Sequence, residues 1–313
     1  MIVALAGGVG GAKLAHGLYR VLPPHALTVI INTADDFMLF GLHISPDSDT
    51  VMYTLAGIAN PQTGWGIAGD TFATLEMLRR YGLDTWFLLG DRDFATHIRR
   101  TELLRAGLPL SMVIATLARA LGVQATLLPM CNEPVATLVD TPAGRLEFQE
   151  YFVHRHHTDP VQGVTFAGIH EARVPDAVAA AIASADAIIF CPSNPIVSIG
   201  PILAVPGMRD LIRRARAPRV AVSPIVAGRA LRGPADHMLA SLGYDVSPFG
   251  VAELYRDLLQ GMVIDSADAD QERRIARLGI QVLVTRTIME NEADRQRLAQ
   301  EVLAFSRQLA HER

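Results

Sequence analysis

Cysteine is almost missing from this chain: Cys131 and Cys191 are the only two in 313 residues, and they stand far apart. Two thiols make neither a disulfide framework nor a four-ligand zinc centre, so a reducing cytoplasm is the expected setting. Aromatic residues supply 6% of a chain that is half hydrophobic. The core is thereby left to Val, Ile, Leu and Ala, as in a parallel sheet covered by helices. No apolar run approaches the roughly 20 residues of a membrane helix. The opening run, Met1 to Ala6, lacks the basic flank of a signal peptide and stops at glycines, so it reads as a buried strand. Charge of one sign is lacking too. With 28 basic and 32 acidic residues mixed along the chain, there is no basic stripe to hold a nucleic acid.

What is present is an alternation of short apolar runs and helical patterns, the mark of βαβ units. Ile2–Ala6, Leu27–Asn32, Thr85–Leu89, Ala187–Cys191, Arg219–Ser223 and Ile280–Val284 are predicted parallel strands. Helices are expected over Ala12–Leu22, Asp49–Ala59, Asp70–Tyr81, Asp93–Ala106, Leu110–Leu121 and from about Met289 onward. An Asp opens several of them, suited to capping free N–H groups. Ala125–Met130, Val135–Asp140 and Arg145–Val153 follow one another without helices. They suggest an antiparallel insert over residues 122–170 within one Rossmann-like α/β domain spanning 1–313, its mostly parallel sheet flanked by helices.

Gly7-Gly8-Val9-Gly10-Gly11-Ala12-Lys13 joins the first strand to the first helix. Glycines there let backbone approach a phosphate at a helix N-terminus. The spacing fits neither a dinucleotide fingerprint, which wants glycine at Lys13, nor a Walker loop, which wants Ser or Thr at Leu14. A tight strand–helix turn is the plainer alternative, but four glycines in five residues exceed what a turn needs. After the second strand comes Asn32-Thr33-Ala34-Asp35-Asp36, followed by Asp47 and Asp49. Hard carboxylates beside a phosphate loop suit Mg²⁺, with Asp35 first and Asp36 beside it as ligands. Helix capping by Asp47 or Asp49 is the alternative.

Taken in order, these segments resemble the 2-phospho-L-lactate transferase family of coenzyme F420 biosynthesis. The resemblance continues through Ser45-Pro46-Asp47-Ser48-Asp49-Thr50, Tyr53-Thr54-Leu55, Gly64-Trp65-Gly66, Leu89-Gly90-Asp91-Arg92-Asp93 and Ala95-Thr96-His97. It resumes at Pro192-Ser193-Asn194-Pro195, Ser198 to Leu203, Ser223-Pro224-Ile225, Gly228-Arg229 and Arg232-Gly233-Pro234. Ala34 stands where members often carry Gly, and Arg229 and Arg232 where they often carry Lys.

The resemblance implies an Mg²⁺-dependent transferase. Its donor is a guanosine diphosphate bearing lactate, enolpyruvate or glycerate on its terminal phosphate. Its acceptor is 7,8-didemethyl-8-hydroxy-5-deazariboflavin, and GMP leaves. By the same resemblance Gly8, Gly10, Gly11, Lys13, Ser193, Asn194, Pro195, Ser223, Arg229 and Arg232 hold the donor nucleotide. Asp49, Thr50, Trp65 and Arg92 hold the acceptor, Asp35, Asp91 and Asp93 take part in catalysis, and the protein is a homodimer. Asp91-Arg92-Asp93 also reads as a helix cap with a local ion pair.

A regulatory nucleotide-sugar binder on the same fold is the nearest rival, and it would lack the acceptor-side residues. A nicotinamide oxidoreductase is the second, opposed by Lys13. His154, His156 and His157 with Asp159 look like metal ligands, but their loop beside a hairpin is expected to leave them solvated.

Overall fold

The structure is a computed structural model that describes residues 1–312. In chain order, β1 (Ile2–Ala6), α1 (Gly8–Val21) and β2 (Leu27–Ile31) form the first βαβ unit. A hairpin of β3 (Phe37–Leu39) and β4 (Leu42–Ile44) precedes α2 (Pro46–Leu55), α3 (Ala73–Arg80), α4 (Asp91–Arg105) and α5 (Leu110–Ala120). Next come β5 (Thr126–Pro129), β6 (Ala136–Thr141), β7 (Gly144–Glu147) and β8 (Gly163–Ala167). The second half adds β9 (Ala187–Phe190), β10 (Arg219–Val222), β11 (Ile225–Val226), β12 (Arg229–Ala230), β13 (Gly261–Asp265) and β14 (Gln281–Thr285).

Seven of these strands make one parallel sheet in the order β14-β13-β10-β9-β1-β2-β5. Residues of β1 alternate between two cores: Ile2, Ala4 and Ala6 pack toward α1, α5 and the helix Glu292–His311, while Val3 and Leu5 pack on the other face. Burial on both faces explains why the strands read as unbroken apolar runs. The chain moves outward from β1 through β2 to β5, then returns to β1's other side at β9. The order therefore reverses between β1 and β9, and open α/β sheets bind ligands at the carboxyl ends of such a pair.

Several elements differ from the sequence expectation. Thr85–Leu89 forms no strand; Leu89 and the partly buried Phe87 join a small cluster with Ile44, Leu75 and Phe94 away from the sheet. Residues 125–130 do not belong to the antiparallel insert, because β5 pairs parallel with β2 at the main sheet's edge. The insert itself is the three-stranded β7-β6-β8, and Glu150–His154 is a helical turn where a strand was expected. β13 and the β3–β4 hairpin were not foreseen. Helix α1 begins at Gly8, inside the glycine run, and α2 begins at Pro46, whose fixed φ suits a first helical turn.

Candidate active site

A cavity of about 930 Å³ opens at the β1/β9 reversal. Its walls come from the segments that follow β1, β2, β9, β10 and β14, from α2 and α4, and from the insert. One part is glycine-lined and polar, with Lys13 and Arg232. Another is apolar, with Trp86, Phe87, Leu88, Phe148 and Phe152.

The glycine loop is held by close packing as well as by conformation. Gly7 N–H donates to Ser193 Oγ at 3.0 Å, and Ser193 Oγ donates back to Gly7 O at 2.8 Å. A Cβ on Gly10 would stand 2.4 Å from the Pro192 carbonyl, and one on Gly11 2.4 Å from Ser193 Oγ. Gly8 has φ +61°, the left-handed region that glycine adopts freely. Packing therefore does require these glycines, contrary to the sequence expectation. It draws the β1 and β9 loops together and leaves α1's first turn facing the cavity.

The acidic residues divide by partner. Asp47 accepts from Gly8 N–H at 2.7 Å and from Asn32 Nδ2 at 2.9 Å. Burial lifts its carboxyl to a pKa of about 6 in spite of those donors. Asp35 also lines the cavity, and its buried Oδ1 has no hydrogen-bond partner. Burial first, and then the neighbouring Asp47, push its pKa well above the usual carboxylate range. Asp36 lies outside the cavity lining and accepts from Ser45 Oγ at 2.7 Å.

Between α2 and α4, Arg100 is fully buried and forms a two-pronged ion pair with Asp49. Tyr53 Oη donates to Asp93 Oδ1 at 2.7 Å, and His97 Nε2 lies 3.4 Å from the same oxygen. The ligand-capable atoms of Asp49, Asp93 and His97 fall within 4.8 Å of one another, a buried cluster that could hold a metal.

Of the residues expected to act, Asp35, Asp49, Thr50, Trp65, Asp93, Gly8, Gly10, Lys13, Ser193, Asn194, Ser223 and Arg232 line this one cavity. Gly11, Pro195, Arg229, Asp91, Arg92 and Asp36 do not. Asp91 accepts from Thr71 Oγ1 and from the Ala73 and Thr74 N–H groups, so it caps α3. Arg92 is exposed at the start of α4. Arg232 donates to the Gln62 and Thr63 carbonyls, which fastens its loop to the loop carrying Trp65. Lys13 Nζ donates to Met289 O at 2.8 Å, and Asn194 Oδ1 accepts from Ile196 N–H, closing its own turn.

Sequence reasoning missed several wall residues. Tyr53 and His97 stood in recognised segments but received no role. His154 and His156 are exposed and His157 is half-buried, in line with the expected solvation; His156 and His157 nonetheless edge the cavity, and His154 stacks on Trp86 with ring centroids 5.2 Å apart. The Thr287–Glu290 segment joins the wall because Asp265 Oδ2 accepts from Thr287 N–H at 2.7 Å. No local pattern in the sequence announces that contact.

Fold and site together define an α/β protein with a switch-point cavity that joins an anion-suited glycine loop to an apolar, aromatic pocket. The chain belongs to the family described as 2-phospho-L-lactate transferase CofD, which it matches over residues 2–304. It is 43% identical to the 2-phospho-L-lactate transferase of Methanothermobacter thermautotrophicus over 97% of both chains. It is equally 43% identical to the phosphoenolpyruvate transferase of Streptomyces coelicolor, over 98% of both. The phosphoenolpyruvate transferase of Streptomyces griseus shares 46% identity over 89% of this chain and 90% of that one. Among solved structures, protein BH3568 from Bacillus halodurans superposes with a TM-score of 0.62 at 15% identity, covering 96% of this chain and 98% of that one. At that identity the likeness concerns the fold.

Proposed function

We propose that this protein transfers a phosphorylated three-carbon acid from a guanosine diphosphate carrier to the terminal ribityl hydroxyl of 7,8-didemethyl-8-hydroxy-5-deazariboflavin, with GMP as the leaving group. The observation that carries this reading is the union of two unlike surfaces in one cavity. A diphosphate suits the first turn of α1 with Lys13, and a tricyclic ring suits walls of Trp86, Phe87 and Phe152. Family membership across nearly the whole chain supports the same reaction. Relatives named for phospholactate and for phosphoenolpyruvate are equally similar, so the proposal covers the class of acid.

Phosphoryl transfer depends on positioning and charge neutralisation more than on covalent help from the protein. Asp35 and Asp47 would hold Mg²⁺. Asp35 Oδ1 is buried without a donor, and two adjacent carboxylates repel each other unless a proton or cation lies between them. This pair differs from the Asp35–Asp36 pair expected from sequence, because Ser45 engages Asp36 outside the cavity lining. A bound Mg²⁺ would neutralise charge on the diphosphate. Lys13 and α1's N-terminal amides orient the anion, and the insert's aromatic residues exclude water from the ring.

Two buried, free cysteines fit a reducing cytoplasm. The exposed Phe72, Met77 and Tyr81 on and beside α3 fit a homodimer face. Among the described residues no helix is long and apolar enough to cross a membrane.

The test is incubation of the protein and Mg²⁺ with the deazaflavin and each of three guanosine diphosphate-linked acids, with products resolved by mass. A phosphodiester product and equimolar GMP from at least one donor are expected. Saturable nucleotide binding without turnover of any donor would instead support a regulatory binder.

A further inference from the structure

The cavity wall between α2 and α4 holds a polar chain that phosphate and metal binding leave unexplained. Arginine can only donate, so the 3.0 Å contact of Arg100 Nη1 with His97 Nδ1 makes that nitrogen the acceptor. The imidazole proton of the neutral ring therefore sits on Nε2. That nitrogen is buried without a hydrogen-bond partner, and its nearest carboxylate oxygen is Asp93 Oδ1 at 3.4 Å. Tyr53 Oη donates to the same oxygen at 2.7 Å. Both contacts fall on Oδ1, which leaves Asp93 Oδ2 for a ligand in the cavity that Asp93 lines.

Other carboxylates are engaged elsewhere. Asp91 caps α3 outside the cavity. Asp49 is neutralised by Arg100, whose guanidinium also makes the Asp49–Asp93–His97 cluster a poor host for a second cation. Asp35 and Asp47 face the diphosphate side.

We propose that Asp93 accepts the proton of the attacking hydroxyl, and that His97, fixed by Arg100 as its Nε2–H tautomer, is the positioning residue that orients Asp93. The proposal rests on the transfer reaction above. The acceptor oxygen bonds to the phosphorus carrying the acid, and its proton passes to Asp93 Oδ2. The bond from that phosphorus to the bridging oxygen breaks, and its electron pair leaves with GMP.

The groups facing Asp93 are Asp49 and Tyr53 from α2, and His97 and Arg100 from its own helix. Asp70 accepts the Asp93 amide, while Asp36 and His43 lie beyond Arg100. His97 Nε2 stands 3.4 Å from Asp93 Oδ1, so loss of the ring loosens Asp93 and lowers kcat while leaving the donor KM in place.

Four proteins with Mg²⁺ decide the matter: wild type, Asp93→Asn, His97→Ala and His97→Gln, each assayed for kcat and for donor and acceptor KM. Asp93→Asn is expected to lower kcat by about 10²–10⁴-fold with little change in donor KM. His97→Ala is expected to lower kcat by about tenfold or more with donor KM little changed, and His97→Gln, whose amide N–H reaches toward the Nε2 position, to restore most of it. An unchanged kcat in His97→Ala, or an Asp93→Asn enzyme within tenfold of wild type, overturns the proposal alone. A second Mn²⁺ bound by wild type and lost in His97→Ala also overturns it. A wild type that turns over no donor overturns the transfer reading and this proposal with it.

Discussion

Asp70 and Asp91 cap each other's helices. Asp91, the first residue of α4, accepts from the Ala73 and Thr74 N–H groups that open α3. Asp70, just before α3, accepts from the Arg92 and Asp93 N–H groups that open α4. Gly90 permits the approach, since a Cβ there would stand 2.1 Å from Asp70 Oδ2. Asp70's half of the exchange fixes the start of α4, and with it Asp93 in the cavity wall.

Asp91→Ala should therefore act on stability. Three donors from Thr71, Thr74 and Ala73 hold its pKa down to about 2, against about 3.9 in an unfolded chain. A depressed carboxyl stabilises the fold above the unfolded value, and that contribution is lost as pH falls through the folded one. The variant should melt about 2–4 °C lower at pH 7, with the difference closing between about pH 4 and pH 2. Its kcat should stay within about twofold, since Asp91 is outside the cavity. Thermal scans across pH, with one activity assay, check both.

Asp47 has the opposite sign. Its folded pKa of about 6 exceeds the unfolded value, so its contribution is full below about pH 4 and lost as pH rises through about 6. Mg²⁺ needs the ionised carboxylate. The rise in Tm on adding Mg²⁺ should therefore be small at pH 5 and grow to a plateau above pH 7. Asp35→Asn should abolish the rise at every pH while leaving the metal-free Tm at pH 7 unchanged or higher. A rise independent of pH would count against this pair as the ligands.

The sheet was legible because doubly buried strands must be apolar: Ile2–Ala6, Leu27–Ile31 and Ala187–Phe190 declare themselves. Thr85–Leu89 carries the same pattern, yet its side chains serve a small cluster and the cavity wall, a difference that local periodicity cannot express. The glycine loop, Asp35 and Ser193 were legible because strand ends at a reversal point collect ligand groups. The exchange of caps was not, since an Asp before a helix pattern reads the same whichever helix it caps. Nor was the role of His97, which depends on Arg100 one turn along α4 and on Asp49 across it on α2.

Gly10→Ala should cost stability and activity together. The added Cβ meets the rigid Pro192 carbonyl at 2.4 Å, so the β1 and β9 loops must part, at a cost of about 1–3 kcal/mol. Gly57, with φ +73° and nothing within 4 Å of an added Cβ, isolates the backbone effect alone. Gly57→Ala should destabilise by about 1 kcal/mol or slightly more and leave kcat intact. Urea unfolding of both variants, with donor KM, separates crowding at the site from strain remote from it.

Arg100 and Asp49 form the most consequential ion pair in the molecule, because both are buried and α2 and α4 meet around them. Burial works against the arginine's charge, but Asp49, with Asp36 and Tyr53 behind it, more than offsets that and raises the pKa of Arg100. Removing one partner strands the other. Arg100→Met should cost about 3–5 kcal/mol, most of it the penalty on an unpaired Asp49. Asp49→Asn combined with Arg100→Met removes both charges and should recover a large part of that loss, since a buried pair gains little over neutral groups of similar size. Activity should not follow stability. The double variant leaves His97 without the donor that selects its tautomer, so its kcat should stay low even where its unfolding free energy approaches that of wild type. A kcat that returns with stability would mean that Arg100 acts on the fold alone.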